Sequence, residues 1–218
     1  MSNKKVAVIL SGCGVYDGAE INEAVLTLLS IKEAGADYQC YAPDIDQHHV
    51  INHTDGAELE QKRNVLVEAA RIARGNVKPI QDLQPQDYDA LIVPGGFGVA
   101  KNLSKFAFNG NADDINKHFL AVGQSFKDAK KPAGYMCIAP ALLPKIYGEG
   151  VICTIGEDVD AASAIENSGG VHENCTVEDV VVDKQNKLTT TPAYMYDADL
   201  VQVKAGISKL VTSVLSMS

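Results

Sequence analysis

The 218-residue chain reads as an α/β protein built on a mostly parallel sheet. Three observations predict this class. Residues 5–10, KVAVIL, form a β-rich apolar run suited to a strand buried on both faces. Residues 19–34 then show helical spacing and residues 37–42, DYQCYA, return to a strand pattern. A strand–helix–strand start is the mark of a parallel sheet. Finally, residues 130–148, KKPAGYMCIAPALLPKIYG, read as a buried strand ending at Met136, a tight turn at Cys137 and a helix from Pro140.

The elements follow in order. Residues 11–14, SGCG, break the first strand, and Asp17 or Gly18 can cap the first helix. Val25, Leu28, Leu29 and Ile31 give that helix its apolar face, and Gly35 ends it. Residues 44–56 are polar and carry His48, His49 and His53, while residues 58–74 have helical periodicity and residues 75–82 look irregular. Residues 44–82 therefore form an insertion of the kind that often makes a lid or binding loop. Residues 88–93, YDALIV, are the next strand, followed directly by Pro94-Gly95-Gly96-Phe97-Gly98. Residues 113–129 read as a helix, 151–154 as a short strand and 158–168 as a helix stopped by Gly169-Gly170. Residues 175–182 and 188–191 look like paired strands, and residues 198–217 like a closing amphipathic helix. No repeat or linker interrupts the chain, so residues 1–218 are expected to form one domain.

Composition narrows the function. Hydrophobic residues make up 46% of the chain, enough for a globular core. The net charge is −9 and the basic residues are scattered, which argues against nucleic acid or an anionic membrane as partner. Five widely spaced cysteines with no CxxC pair speak against a disulfide framework or a thiolate zinc site. The basic N-terminus leads into only a short apolar run, which reads as a strand rather than a signal segment. A reducing, cytoplasmic location is expected.

Three features fall at strand ends, where ligands bind in open α/β sheets. Cys137 on a strand-to-helix elbow would project at the sheet edge, and a helix N-terminus beside it would lower the thiol pKa. A free cysteine in an apolar run can equally be an inert small hydrophobe. Glu20 and Glu23, three apart, share one side of the first helix. Glu20 suits a first-turn acid favouring the helix dipole, whereas Glu23 could share a proton with a thiolate. The Pro94–Gly98 glycines either form a plain turn or let backbone N–H groups approach a ligand as an oxyanion hole. None of the five histidines lies in a recognisable motif, and His48, His49 and His53 suit a solvated loop better than a metal site.

With these residues assembled, the chain resembles the class I glutamine amidotransferase-like superfamily in its PfpI-like branch. More closely it resembles the ElbB family, also described as isoprenoid-biosynthesis proteins with an amidotransferase-like domain. The resemblance rests on VILSGCGVYDGAEINEAVLTLL, on INHTDG with RNVLVEAARIARG, on LIVPGGFGVAKNLS, on GYMCIAPALLPKI and on VVVDKQNKLTTTPAYM. It implies a flavodoxin-like three-layer α/β/α sandwich. It implies a nucleophile at Cys137, an acid at Glu23 close to its sulfur, and oxyanion-hole N–H groups from Gly96 and Ile138. It makes the insertion a cover over the site, and the superfamily's habit suggests a homodimer.

Departures from the superfamily pattern limit the activity. True amidotransferases carry a late His followed by Glu, and here the matching stretch reads TTTPAYM. Protease-like relatives place His directly after the cysteine, where this chain has Ile138. Superfamily members that keep a Cys and Glu pair are glyoxalases needing neither glutathione nor metal. The expected function is therefore a weak, cofactor-independent glyoxalase acting on a small dicarbonyl substrate. The alternatives are a cysteine-based redox or reactive-carbonyl sensor, or an accessory role in isoprenoid biosynthesis. The sequence contains no P-loop and no paired Asp-rich motif for a diphosphate.

Overall fold

The computed structural model describes residues 3–218. The chain begins with β1 (Lys5–Ile9), α1 (Ile21–Glu33), β2 (Asp37–Ala42), α2 (Val65–Ile72) and β3 (Val77–Pro79). Next come β4 (Ala90–Val93), the short helices α3 (Phe97–Lys101) and α4 (Phe106–Asn109), α5 (Lys117–Asp128) and β5 (Ala133–Met136). A 3₁₀ turn at Ala139–Leu142 leads into α6 (Leu143–Tyr147), β6 (Ile152–Cys153), α7 (Val159–Asn167) and β7 (Val171–His172). The chain closes with β8 (Val181–Asp183), β9 (Leu188–Thr191) and α8 (Leu200–Met217).

Seven strands form one sheet in the order β3-β2-β1-β4-β5-β9-β8. All neighbours are parallel except β8, which pairs antiparallel with β9 at the edge. Helices cover both faces, giving the three-layer flavodoxin-like sandwich that the sequence predicts. Continuous apolar burial in β1 and β4 reflects this double cover. One core packs α1, α2 and α8 on the sheet through Leu26, Ile31, Val65, Ile207, Leu210 and Val214. The other packs α5, α6 and α7 through Phe119, Phe126, Leu143, Ile146 and Ile165. Although α8 is long and apolar enough to cross a bilayer, it lies along α1, β5 and β9. Asp199 caps it in a reciprocal capping box with Gln202.

Several elements differ from the sequence reading. Of the expected apolar face Leu28 and Ile31 are buried, whereas Val25 and Leu29 are exposed, and α1 also buries Glu23, Ala24, Leu26, Thr27 and Ser30. The buried stripe is thus rotated, because a carboxyl and two hydroxyls find partners inside. The helix expected over residues 58–74 starts only at Val65, where the Asn64 side chain accepts the Val67 N–H. Before it the chain is held by isolated bridges, Ile51 with Glu58 and Asp46 with Asn64. Residues 75–82, expected to be irregular, supply β3 and a 3₁₀ turn at Ile80–Asp82. The strand is only three residues long and carries Lys and Pro, so it gives little periodic signal.

Chain order places the crevice. From β1 the chain winds outward through β2 to β3, then returns to the other side of β1 for β4, β5 and β9. The switch lies between β1 and β4, and their carboxyl ends open the cleft where such sheets bind ligands.

Candidate active site

Cys137 stands one residue past β5 with φ of 58°, in the left-handed region. Its N–H still donates to the Thr191 carbonyl at 3.1 Å, extending the β5–β9 ladder. Ile138 is already right-handed helical and opens the 3₁₀ turn. The sequence motif thus becomes a strand–turn–helix elbow. A non-glycine residue in this conformation costs about 1–2 kcal/mol, which the surrounding ladder must hold in place.

Three groups act on the sulfur: one after β4, one on α1 and one at the following residue. The Gly96 and Ile138 N–H groups act on it in favour of the thiolate, and the Glu23 carboxylate beside it favours the thiol. Glu23 is fully buried on the first turn of α1. Its Oε2 accepts the Gly95 N–H at 2.8 Å and its Oε1 accepts the Tyr194 N–H at 3.2 Å. Glu20 sits at the N-cap of α1, where its carboxylate accepts the Glu23 N–H at 2.6 Å. The helix-supporting reading of Glu20 therefore holds, and the structure moves it from the first turn to the cap itself.

The two glycines after β4 are needed for different reasons. Gly96 has φ of 95° and approaches the backbone of Gly18 to Glu20 so closely that a Cβ would overlap it. Gly95 does not have positive φ, so a turn does not explain it. A Cβ there would overlap the Cys137 Cβ and lie 2.8 Å from the Glu23 Oε2. Gly95 is glycine because the nucleophile and the carboxylate pack against its backbone.

The electrostatics differ from the sequence expectation. Burial first, and the charge of Glu20 second, push the Glu23 carboxyl up to about 7, against the lowering effect of the Tyr194 and Gly95 N–H groups. A thiol lowered by its elbow was expected. Burial and the neighbouring Glu23 charge instead hold Cys137 well above the ordinary thiol range, outweighing the Gly96 and Ile138 N–H groups. At neutral pH the pair is a protonated thiol beside a carboxyl near its midpoint.

A cavity of about 460 Å³ opens beside Cys137. Val15, Phe97, Phe106, Ile138, Tyr194 and Met195 make its apolar wall. Glu20, Asp158 and Asp160 also reach it, and no Lys, Arg or His does. The expected cover is not there: no residue of the insertion 44–82 lines this cavity. The insertion packs instead on the β1–α1 loop, where Ile51 N–H donates to the buried Asp17 at 2.7 Å and Tyr16 N–H to His53 at 3.2 Å. His48 and His49 stack on Phe108. Among the described residues no three His, Cys, Asp or Glu side chains converge as metal ligands.

The family resemblance pointed to Cys137, Glu23, Gly96 and Ile138, and the structure has the last three beside the Cys137 sulfur. Sequence reasoning missed Gly95 as a donor to Glu23, and it missed Ala193 and Tyr194. Ala193 has φ of 46°, and this left-handed turn aims the Tyr194 N–H at Glu23.

A parallel sheet of this order with a cysteine on its strand-to-helix elbow defines an amidotransferase-like α/β protein. No protein-family model matches the chain. It is 43% identical over 224 residues to the mitochondrial ES1 protein homolog of Rattus norvegicus, covering 98% of this chain and 84% of that protein. It is 43% identical over 224 residues to the mitochondrial glutamine amidotransferase-like class 1 domain-containing protein 3 of Homo sapiens, covering 98% and 83%. A solved structure of an isoprenoid biosynthesis protein with amidotransferase-like domain from Ehrlichia chaffeensis superposes with a TM-score of 0.91 at 39% identity, covering 98% of this chain and 99% of that one. Glyoxalase III from Candida albicans shares the fold alone, with a TM-score of 0.63 at 17% identity, covering 97% of each chain. The chain belongs to the ES1 family of glutamine amidotransferase-like class 1 proteins, which are ElbB-like.

These relatives correct one expectation. The curated relatives from rat, human and zebrafish are all named as mitochondrial proteins, which overturns the cytoplasmic location read from composition.

Proposed function

We propose that the protein is a cofactor-independent glyoxalase that converts glyoxal to glycolate through a hemithioacetal on Cys137, without amidotransferase activity. The observation that carries this reading is the Cys137 sulfur packed with a fully buried Glu23 carboxyl against Gly95, where burial pushes that carboxyl up to about 7. Glu23 as carboxylate accepts the thiol proton as the sulfur adds to one aldehyde carbon. The alkoxide that forms faces the Gly96 and Ile138 N–H groups. Glu23 then moves a proton from that carbon to its neighbour through an enediol-like state. The first carbon is oxidised to a thioester and the second is reduced to a carbinol, so no outside oxidant is required. Water cleaves the thioester to glycolate and restores the thiol. A carboxyl poised near neutrality serves both as acceptor and donor.

Other activities fit less well. Glutamine hydrolysis needs a proton donor for the leaving ammonia, and no histidine lines the cavity. A diphosphate would meet acids and no cation there. A thiol held up by burial carries little thiolate, which weighs against a peroxide sensor.

The test is glycolate formation from glyoxal by pure protein without glutathione or metal. Wild type should turn over repeatedly, and Cys137→Ala should lose about 10³-fold or more. Single labelling of Cys137 without turnover would sink the enzyme reading.

A further inference from the structure

The cavity beside Cys137 is far larger than glyoxal. Its volume of about 460 Å³ lies in the range of about 300–1,000 Å³ typical of pockets for drug-sized ligands. Glyoxal, two carbons and two oxygens, would occupy a small part of it beside the sulfur. The rest of the wall is aromatic and aliphatic: Phe97, Phe106, Ile138, Met195 and Ala161. Phe97 is 48% exposed although it borders this cleft, so apolar surface waits there uncovered. Such surface gains stability only when an apolar group covers it.

Charge sets a second limit. The charged side chains reaching the cavity are Glu20, Asp158 and Asp160, all acidic. Glu20 and Asp158 have structural work, accepting the Glu23 and Ala161 N–H groups at their helix caps, and both carry their charge to the lining all the same. A nearby cation, Lys101, does not line the cavity: it donates to the Tyr16 carbonyl at 2.9 Å and lies over the Phe97 ring. A substrate bearing a carboxylate or phosphate would meet like charges and no partner in a partly desolvated cleft.

We infer that the substrate is an uncharged α-oxoaldehyde carrying a bulky apolar group, and that the acidic lining expels the hydroxy acid product. This rests on the glyoxalase reading and names the substrate class of the same site. The reaction turns a neutral molecule into an anion by the proton transfer and thioester hydrolysis already described. A cavity without cations then binds the reactant better than the product, so turnover drives its own release.

The experiment compares glyoxal, phenylglyoxal and 4-carboxyphenylglyoxal by kcat/KM, each scaled to its hemithioacetal formation with a free thiol in solution. Product inhibition by mandelate is measured alongside inhibition by neutral mandelamide. Phenylglyoxal should exceed glyoxal by about tenfold or more, and its carboxylated analogue should fall by about tenfold or more. Mandelate should inhibit at least about tenfold more weakly than mandelamide. Ala161→Phe, which narrows the apolar wall, should lower the phenylglyoxal-to-glyoxal ratio, and Asp160→Asn should narrow the penalty on the carboxylated substrate. Glyoxal turnover with equal efficiency for all three substrates would overturn this inference and leave the glyoxalase reading standing. No turnover of any of them would overturn both.

Discussion

Among the described residues, five that are not glycine adopt left-handed backbone, and they fall into two groups. Arg74 and Lys130 each stand one past a helix C-cap and are exposed, and Lys187 completes the β8–β9 turn. A chain reversal accounts for them, since helices often end this way. Cys137 and Ala193 are different. Both are buried, both follow directly or nearly so on the adjacent strands β5 and β9, and neither terminates a helix. One projects a sulfur into the switch-point crevice and the other aims the Tyr194 N–H at the carboxylate beside it. Local chain reversal explains the first group, whereas in the buried pair Cys137 is held by the sheet ladder and Ala193 by what its neighbour's N–H binds. Strain with no local reason is the better guide to the site.

The strongest way to break this contrast is through Glu23, the group on which both buried turns converge. Glu23→Gln should reduce turnover by about 10²–10⁴-fold, since the amide can neither accept nor return the proton. The same variant tests the electrostatics. Burial raises the folded carboxyl from 4.5 to about 7, so the folded protein holds this proton more tightly than the unfolded chain. That contribution to stability is complete below about pH 4.5 and is lost as pH rises through 7, on the order of 3 kcal/mol in all. Across pH 4 to 9 the unfolding free energy of wild type should therefore fall by about 3 kcal/mol relative to that of the variant, because Gln does not ionise. Against this, the Gln NH₂ must face either the Gly95 or the Tyr194 N–H, which costs about 1–3 kcal/mol at every pH. A stability difference that does not change with pH would refute the raised carboxyl. In wild type, kcat/KM should climb through about pH 7 as the carboxylate forms.

Gly95→Ala sharpens the contrast from the opposite strand. Its methyl would displace both Cys137 and Glu23, so turnover should fall by about 10²-fold from a misplacement of about an ångström. Overpacking should also cost about 1–3 kcal/mol, read from the denaturant midpoint. Full activity would mean that the close approach at Gly95 does not position the pair.

Legibility of the site divides along the same line. Cys137 could be read because its signal is periodic and local: four buried strand residues, a break, then an apolar run beginning at Pro140. Glu23 was legible only as one of two readings, since one acid in a first helical turn is ordinary, and the family resemblance chose between them. Tyr194 was invisible because it acts through its backbone N–H, which every residue but proline possesses. The Pro94–Gly98 run left a turn and an oxyanion hole equally open, and only coordinates show that Gly95 lacks the positive φ that a turn would demand. At the level of the fold, α1 and β2 were legible, while β3 hid in three residues at the sheet edge. The misassigned stripe of α1 has a related cause: Thr27 and Ser30 are buried beside Met136 and Ser208, so hydrophobicity alone pointed to the wrong face.

The finest test compares one residue from each group. Ala193→Gly and Arg74→Gly both remove a Cβ from a left-handed backbone, at φ of 46° and 53°. Relief of strain favours glycine by about 1 kcal/mol, and the greater entropy of the unfolded chain takes back about 0.4–1 kcal/mol. Both variants should therefore unfold within about 1 kcal/mol of wild type. Their activities should separate. Arg74 is exposed beyond α2, far in the chain from the crevice, and its variant should keep wild-type kcat/KM at every pH. Ala193→Gly loosens the turn that directs the Tyr194 N–H to Glu23 Oε1. Weakening one of two N–H groups that lower the carboxyl should move the rise in kcat/KM to higher pH and reduce kcat severalfold. If the two variants keep the same pH profile, the buried turn at Ala193 is as incidental as the exposed one at Arg74, and the left-handed backbone beside Cys137 loses its claim to mark the site.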